Sequence, residues 1–243
     1  DGGMGVEFAG VEQVPGAREA ARQAEGALTL PGGQGYIPVR YLPIRALDLN
    51  EPGQWFLDFR LAALKRDTAL CRAAILSPVI DAEAVSDAPI ENGCGWTNAV
   101  HVSNAGGARV AIEKITCDTA AAFRMWIAHE VQPIARAHLG HEVKSVQHMG
   151  VYACRNIQGS KALTAFRSQH ARANAIDVAS FALSDGRIIA VAKHWKGDSA
   201  EAKFLHAAHA SACRYFRVAL GPDYNAAHHN HFHFDRGAFK SCR

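Results

Sequence analysis

The sequence contains no Cys-x-x-Cys pair, which argues against a zinc ribbon or a thioredoxin-type redox motif. No apolar stretch approaches the ~18–20 residues that cross a bilayer as a helix, so no transmembrane segment is expected. Proline is scarce, 9 residues, and the 21 glycines follow no repeat; a collagen-like or fibrous chain is excluded. There is no block of Lys and Arg, and 26 basic against 23 acidic residues leave a net charge of only +3. That excess is too small to argue for nucleic acid as a partner, and weakly favours an anionic surface such as a cell wall. No basic-then-apolar leader opens the chain. Asp1 in first place fits a mature form whose signal peptide has been removed, or a trimmed chain.

What is present is a globular composition. Hydrophobic residues make up 49% and charged residues 20% of 243 positions, so disorder is not the dominant state. The length suits one large domain, or one domain with an appendage. Two counts stand out, 13 His and 6 Cys. The cysteines, at 71, 94, 117, 154, 213 and 242, are even in number and dispersed. They fit three disulfides in an oxidising compartment, with the pairing left open. Six buried thiols in a reducing compartment are the alternative.

Residues 1–40 read as a Gly/Ala-rich tail or extension, with a short helix over Ala17–Glu25, and residues 41–243 as the main domain. Tyr36–Asn50 mixes β-branched and aromatic residues with Pro38 and Pro43, which suggests an edge strand or a draped extended segment. A helix is expected from Glu51-Pro52 to about Ile75. Short strands and loops should follow over 78–110. Asp118 or Thr119 can cap a helix that ends at Gly140 and is kinked at Pro133. Lys144–Arg155, Ala175–Leu183 and Arg187–Trp195 read as strands, the last two joined by a tight turn at Asp185-Gly186. A final helix is predicted from Asp198, with Glu201 completing a capping box, to Gly221-Pro222. Interleaved helices and hairpins favour α+β: a small, mainly antiparallel sheet with flanking helices, stapled by disulfides.

Chemistry concentrates in two stretches. His228-His229-Asn230-His231-Phe232-His233-Phe234-Asp235 places four histidines within six residues. On a strand, His231, His233 and Asp235 share one face and Phe232 and Phe234 the other. The second stretch runs from Arg167 to Asp177, with His170 expected in a turn and Asp177 early in a strand. Two imidazoles and one carboxylate form a common catalytic zinc set that leaves a fourth position for water. Taken singly, each of these residues has an ordinary structural reading.

Together they carry a resemblance. Ser168-x-His170-x-x-Ala173-x-Ala175-x-Asp177, followed by His231-x-His233, resembles the two signatures of zinc peptidases that cut D-amino-acid-containing wall peptides. These are the LAS-type D-Ala-D-Ala carboxypeptidases and murein endopeptidases. The wider pattern resembles the bacterial extensin-like C-terminal domain family. Its matching stretches include Leu70-Cys71-Arg72, Cys94-Gly95, Tyr152-x-Cys154-Arg155, Gly221-Pro222-Asp223-Tyr224-Asn225 and His228-x-x-His231-Phe232-His233-x-Asp235. Ala173 stands where the peptidase signature has glycine, and Gln169 where an acidic residue is expected. The resemblance implies a LAS-like metallopeptidase fold and Zn2+ held by His170, Asp177 and His233. It implies His231 as general base, and Arg155, Ser168 and His228 toward substrate. Asp235 would orient a ligand histidine. It further implies hydrolysis of peptidoglycan peptides, endo- or carboxypeptidase and D,D- or L,D-, by a periplasmic or secreted protein. A wall-binding module with a retained, inactive metal site is the alternative, and a disulfide-rich structural protein the third reading.

Overall fold

The computed structural model describes residues 27–29, 36–38, 47–75, 80–159 and 162–243. The chain divides into two units, Asp1–Arg45 and Ala46–Arg243. In the first, β1 (Ala27–Thr29) pairs antiparallel with β2 (Tyr36–Pro38), so a strand occupies part of the expected tail. The expected helix at Ala17–Glu25 lies outside the described residues.

The second unit is α+β. It opens with α1 (Leu57–Arg66) and α2 (Thr68–Ile75), where one helix was expected. Asp67 divides them, because its Oδ1 accepts from the backbone N–H groups of Ala69 and Leu70 at 2.9 and 3.0 Å. A short side-chain acceptor at a helix start is a capping device. Five strands follow: β3 (Ile80–Val85), β4 (Ala88–Glu91), β5 (Cys94–Trp96), β6 (Ala99–Ala105) and β7 (Ala108–Thr116). A helical run comes next, as α3 (Cys117–Trp126), a π-helical turn over Ile127–Val131 and α4 (Gln132–Leu139). Neither Asp118 nor Thr119 caps it; Thr116 precedes its first turn. Pro133 does not kink a continuous α-helix. It sits in the first turn of α4, where its missing N–H costs little. Gly140 closes the helix in the left-handed conformation, φ 71°.

The remaining elements are β8 (Val143–Gly150), β9 (Ala175–Leu183), β10 (Ile188–Ala190), α5 (Val191–His194), α6 (Ala200–Ala212), β11 (Val218–Leu220), β12 (Phe232–Asp235) and β13 (Ser241–Cys242). The turn between β9 and β10 forms as expected, with Gly186 at φ 88°. The expected strand to Trp195 stops at Ala190 and becomes α5, where the His194 ring folds back to accept from Ala190 N–H at 3.0 Å. Ser199, not Asp198, caps α6, accepting from Ala202 N–H at 3.2 Å. That helix ends at Ala212 rather than Leu220, because Val218–Leu220 pairs on both edges, with β12 and with β13.

The sheet is neither small nor simply antiparallel. Nine strands run in the order β13-β11-β12-β9-β8-β7-β6-β3, with β10 also on β9. The pairs β7·β8 and β11·β13 are parallel and the rest antiparallel. The physical reason lies between β7 and β8. The run α3–α4 connects neighbouring strands as a helical crossover, and such a crossover returns the chain in the same direction. Trp126 anchors that run in the core. Its ring meets Phe123, Phe181, Phe216 and Phe234, and its Nε1–H donates to the Ala208 carbonyl at 3.0 Å. Among the described residues no helix is long and apolar enough to cross a membrane.

Three disulfides join Cys71 to Cys117, Cys94 to Cys154 and Cys213 to Cys242, across 46, 60 and 29 residues of chain. Loops of such lengths constrain the unfolded chain by roughly 4 kcal/mol each in the chain-entropy picture. The double substitution Cys94→Ser/Cys154→Ser should therefore lower unfolding free energy by about 2–5 kcal/mol. Urea denaturation followed by tryptophan fluorescence checks this.

Candidate metal centre

β12 pairs antiparallel with β9 in a register that sets His233 directly opposite Asp177. Alternation along β12 turns Phe232 and Phe234 to the opposite face, where both are fully buried. Phe234 packs on Trp126 at 5.0 Å between ring centroids and on Phe216 at 4.9 Å. Phe232 packs on Trp195 at 5.5 Å. Those two rings fix the strand's rotation, so His233 must face Asp177.

His170 comes from a short 3-10 turn, Gln169–Arg172, just before β9. Ser168 caps this turn, its Oγ accepting from His170 N–H at 3.3 Å. Ala173 ends it in the left-handed region at φ 51°. Alanine thus keeps the left-handed turn at the position where the peptidase signature has glycine, at a conformational cost of roughly 1 kcal/mol. Gln169 braces the turn. Its Oε1 accepts from Asn174 at 2.7 Å, and Asn174 Oδ1 accepts from Thr116 and Thr119 at 2.9 and 3.0 Å.

Three donor atoms converge. His170 Nε2 lies 3.1 Å from Asp177 Oδ1 and 3.1 Å from His233 Nδ1, and the latter lies 2.9 Å from Asp177 Oδ1. A tetrahedral shell of radius about 2.0–2.1 Å separates its donors by about 3.3 Å, so this spacing fits one small dication. His170, Asp177 and His233 are also the one such cluster among the described residues. Their outer atoms fit the same role. His170 Nδ1 lies 2.9 Å from the Val151 carbonyl, which can only accept, so Nδ1 carries the proton and Nε2 is the free donor. His233 Nε2 lies 3.1 Å from Asp235 Oδ2, which leaves Nδ1 for the ion. Imidazoles that bind metals are characteristically fixed in this way.

Two further histidines border the cluster. His231 Nε2 is 3.6 Å from Asp177 Oδ1, and its Nδ1 meets Asn230 Oδ1 at 2.8 Å. His228 Nδ1 meets Asn225 Oδ1 at 2.7 Å. Asn225 is itself oriented, since its Nδ2 donates to the Gly159 carbonyl and its Oδ1 accepts from Ala227 N–H. Burial pushes His231 below the ordinary imidazole range, and pushes His228 down to about 4 with help from the neighbouring imidazoles. Arg155 is half-buried close to His228, its guanidinium touching the Asn156 carbonyl at 3.4 Å.

Burial alone would raise the Asp177 pKa, but the His170 and His233 imidazoles beside it override this and hold the carboxyl well below the usual range. His233 shows the converse. Burial disfavours its charged form, yet the carboxylates on both sides, Asp177 and Asp235, raise its pKa to about 9.

The expected ligand set, His231 and Asp235 thus meet in one place, and His228 stands beside them. Ser168 is buried and turned to its own backbone. The Val151 carbonyl and the asparagines 174, 225 and 230 were not legible as site residues, because each acts through a contact made only in the folded chain. His209, which has no obvious partner in sequence, is buried behind β12, 5.0 Å from Phe232 between ring centroids.

A pH dependence follows with a defined sign. At neutral pH without metal, His233 is protonated, and an ion must displace that proton. Divalent-ion affinity should rise about tenfold per pH unit up to about pH 9 and fall correspondingly on acidification. Binding at pH 7 should release about one proton, read by calorimetry in buffers of different ionisation enthalpy. In Asp235→Ala, divalent-ion affinity should fall about 10–100-fold, measured by chelator competition.

No curated protein and no solved structure matches the chain. Residues 69–243 match the family described as Extensin-like protein C-terminus. That span contains β3 to β13, all three disulfides and every residue of the metal cluster. The chain therefore belongs to the extensin-like C-terminal family.

Proposed function

We propose that the protein is a zinc-dependent hydrolase of peptidoglycan peptides, related in mechanism to the LAS-type peptidases. The observation that carries this reading is the convergence of His170 Nε2, Asp177 Oδ1 and His233 Nδ1 at 2.9–3.1 Å, with both imidazoles locked from outside. Two nitrogens and one oxygen are a donor set suited to catalytic zinc, with one position left for water or substrate. When bound, zinc supplies Lewis-acid chemistry, making water more acidic and polarising a carbonyl.

The chain's own residues do the rest. His231 keeps its Nδ1 proton on Asn230, which leaves the Nε2 lone pair facing Asp177. It is held neutral by burial, so it takes a proton from the attacking water at Nε2. As the new C–O bond forms and the amide C–N bond breaks, His231 returns that proton to the leaving nitrogen. Arg155 offers a guanidinium for a substrate carboxylate, which it can grip with two parallel hydrogen bonds. His228, with its Nδ1 proton on Asn225, presents Nε2 as an acceptor. Ser168 contributes by shaping the His170 turn. Three disulfides suit export to the cell envelope, where peptidoglycan is found.

Incubation with purified sacculi should release soluble muropeptides, and a chelator should stop the release. His231→Ala should slow it about 10²–10⁴-fold while one zinc remains bound. An unchanged muropeptide pattern with the zinc-loaded protein would refute hydrolysis. Sacculus binding without release would instead mark a wall-binding module with a retained metal site.

A further inference from the structure

We propose that His209 is an acid-sensitive latch: protonation of this buried imidazole releases α6 from the β11·β12 pair and so opens the metal centre. The ring sits on α6 in a box of apolar groups. Phe232 and Phe234 of β12 lie 5.0 and 6.1 Å away between ring centroids, and Trp195 lies 5.8 Å away. Gly221, just after β11, closes the box on another side, so near that a Cβ there would stand only 3.1 Å from Nε2. His209 is 9% exposed, and its Nε2 is buried with no hydrogen-bond partner among the described residues. A neutral imidazole can occupy such a box. An imidazolium would hold there an N–H without an acceptor and a charge out of water.

Few charges reach the ring. On α6 itself the exposed His206 lies one turn away and repels a charged His209. After β11, Asp223 attracts it, but that carboxylate already accepts from Trp195 Nε1–H at 2.9 Å. The Leu220 carbonyl also favours the charged form. β12 offers only its two phenylalanines on this side, since alternation turns His233 and Asp235 to the opposite face. Burial outweighs the rest and pushes His209 down to about 4.

Position gives the latch its reach. Leu220, next to Gly221, pairs directly with His233, and Phe232 and Phe234 flank His233 on β12. A charged ring that swings out to water withdraws the support behind both strands, and with it the register that sets His233 against Asp177. The ring binds a proton once exposed but not while buried. The β11·β12 pair therefore keeps its full support above about pH 6.5 and loses it as pH falls toward about 4.

Amide hydrogen exchange on the whole, disulfide-intact chain with chelator present, at pH 7 and pH 4 and corrected for intrinsic rates, tests this. Protection of residues 218–220 and 232–235 should fall on acidification relative to β6·β7. The fall should be about 10²-fold larger than in His209→Leu, which stays neutral at both pH values. His228 and His231 titrate in both proteins, so the difference belongs to His209. An equal fall in the variant would overturn the proposal, and so would an equal fall in β6·β7, because the latch is local. If His209→Leu does not fold, NMR follows the His209 ring in the natural protein. Titration well below pH 6 together with loss of β11·β12 protection supports the latch; any titration that leaves this protection intact overturns it.

Discussion

The site depends on one cross-strand pair, Asp177 on β9 opposite His233 on β12. Asp177 is only 9% exposed. Burying a carboxylate is costly unless positive charge or donors compensate it. Here the compensation is imidazole from two directions, or a dication in their midst. A slip of one residue in the β9·β12 register would turn Phe232 or Phe234 into the site and expel His233. The metal cluster and the aromatic core are thus two readings of a single alternation.

Support reaches this pair from both sides. Behind it, Trp126, Phe216 and Trp195 receive the phenylalanine rings of β12. In front, the Val151 carbonyl fixes His170, and Cys154, three residues on, is tied to β5 through Cys94. The Cys213–Cys242 bridge joins the end of α6 to β13 at the sheet margin. The Cys94–Cys154 disulfide therefore secures the segment that carries the Val151 carbonyl.

Legibility in the sequence tracked how local each signal was. Ala175–Leu183 was readable to the residue, and the alternation from His231 to Asp235 predicted which side chains share a face. The Asp185-Gly186 turn was equally plain, since Gly186 needs positive φ. The residues of the two signatures pointed to a meeting that geometry bears out for His170, Asp177 and His233. Sheet size and direction were less legible. Nothing local to β7 or β8 says that they lie side by side, and their parallel pairing comes from the helical crossover between them. Short apolar runs misled in the same way: Arg187–Trp195 suits a strand by composition, yet part of it folds as α5. Asparagine roles were invisible because Asn225 and Asn230 fix ring tautomers through contacts made only in the folded chain.

On the proposed reading, His170, Asp177 and His233 together bind one zinc ion. X-ray absorption at the zinc edge, on protein loaded with a single equivalent, tests it most directly. Four light donors are expected at about 2.0–2.1 Å, with the multiple-scattering pattern of two imidazoles. One of those imidazoles should vanish in His233→Ala. A six-oxygen shell, sulfur at about 2.3 Å, or a spectrum unchanged in His233→Ala would contradict it.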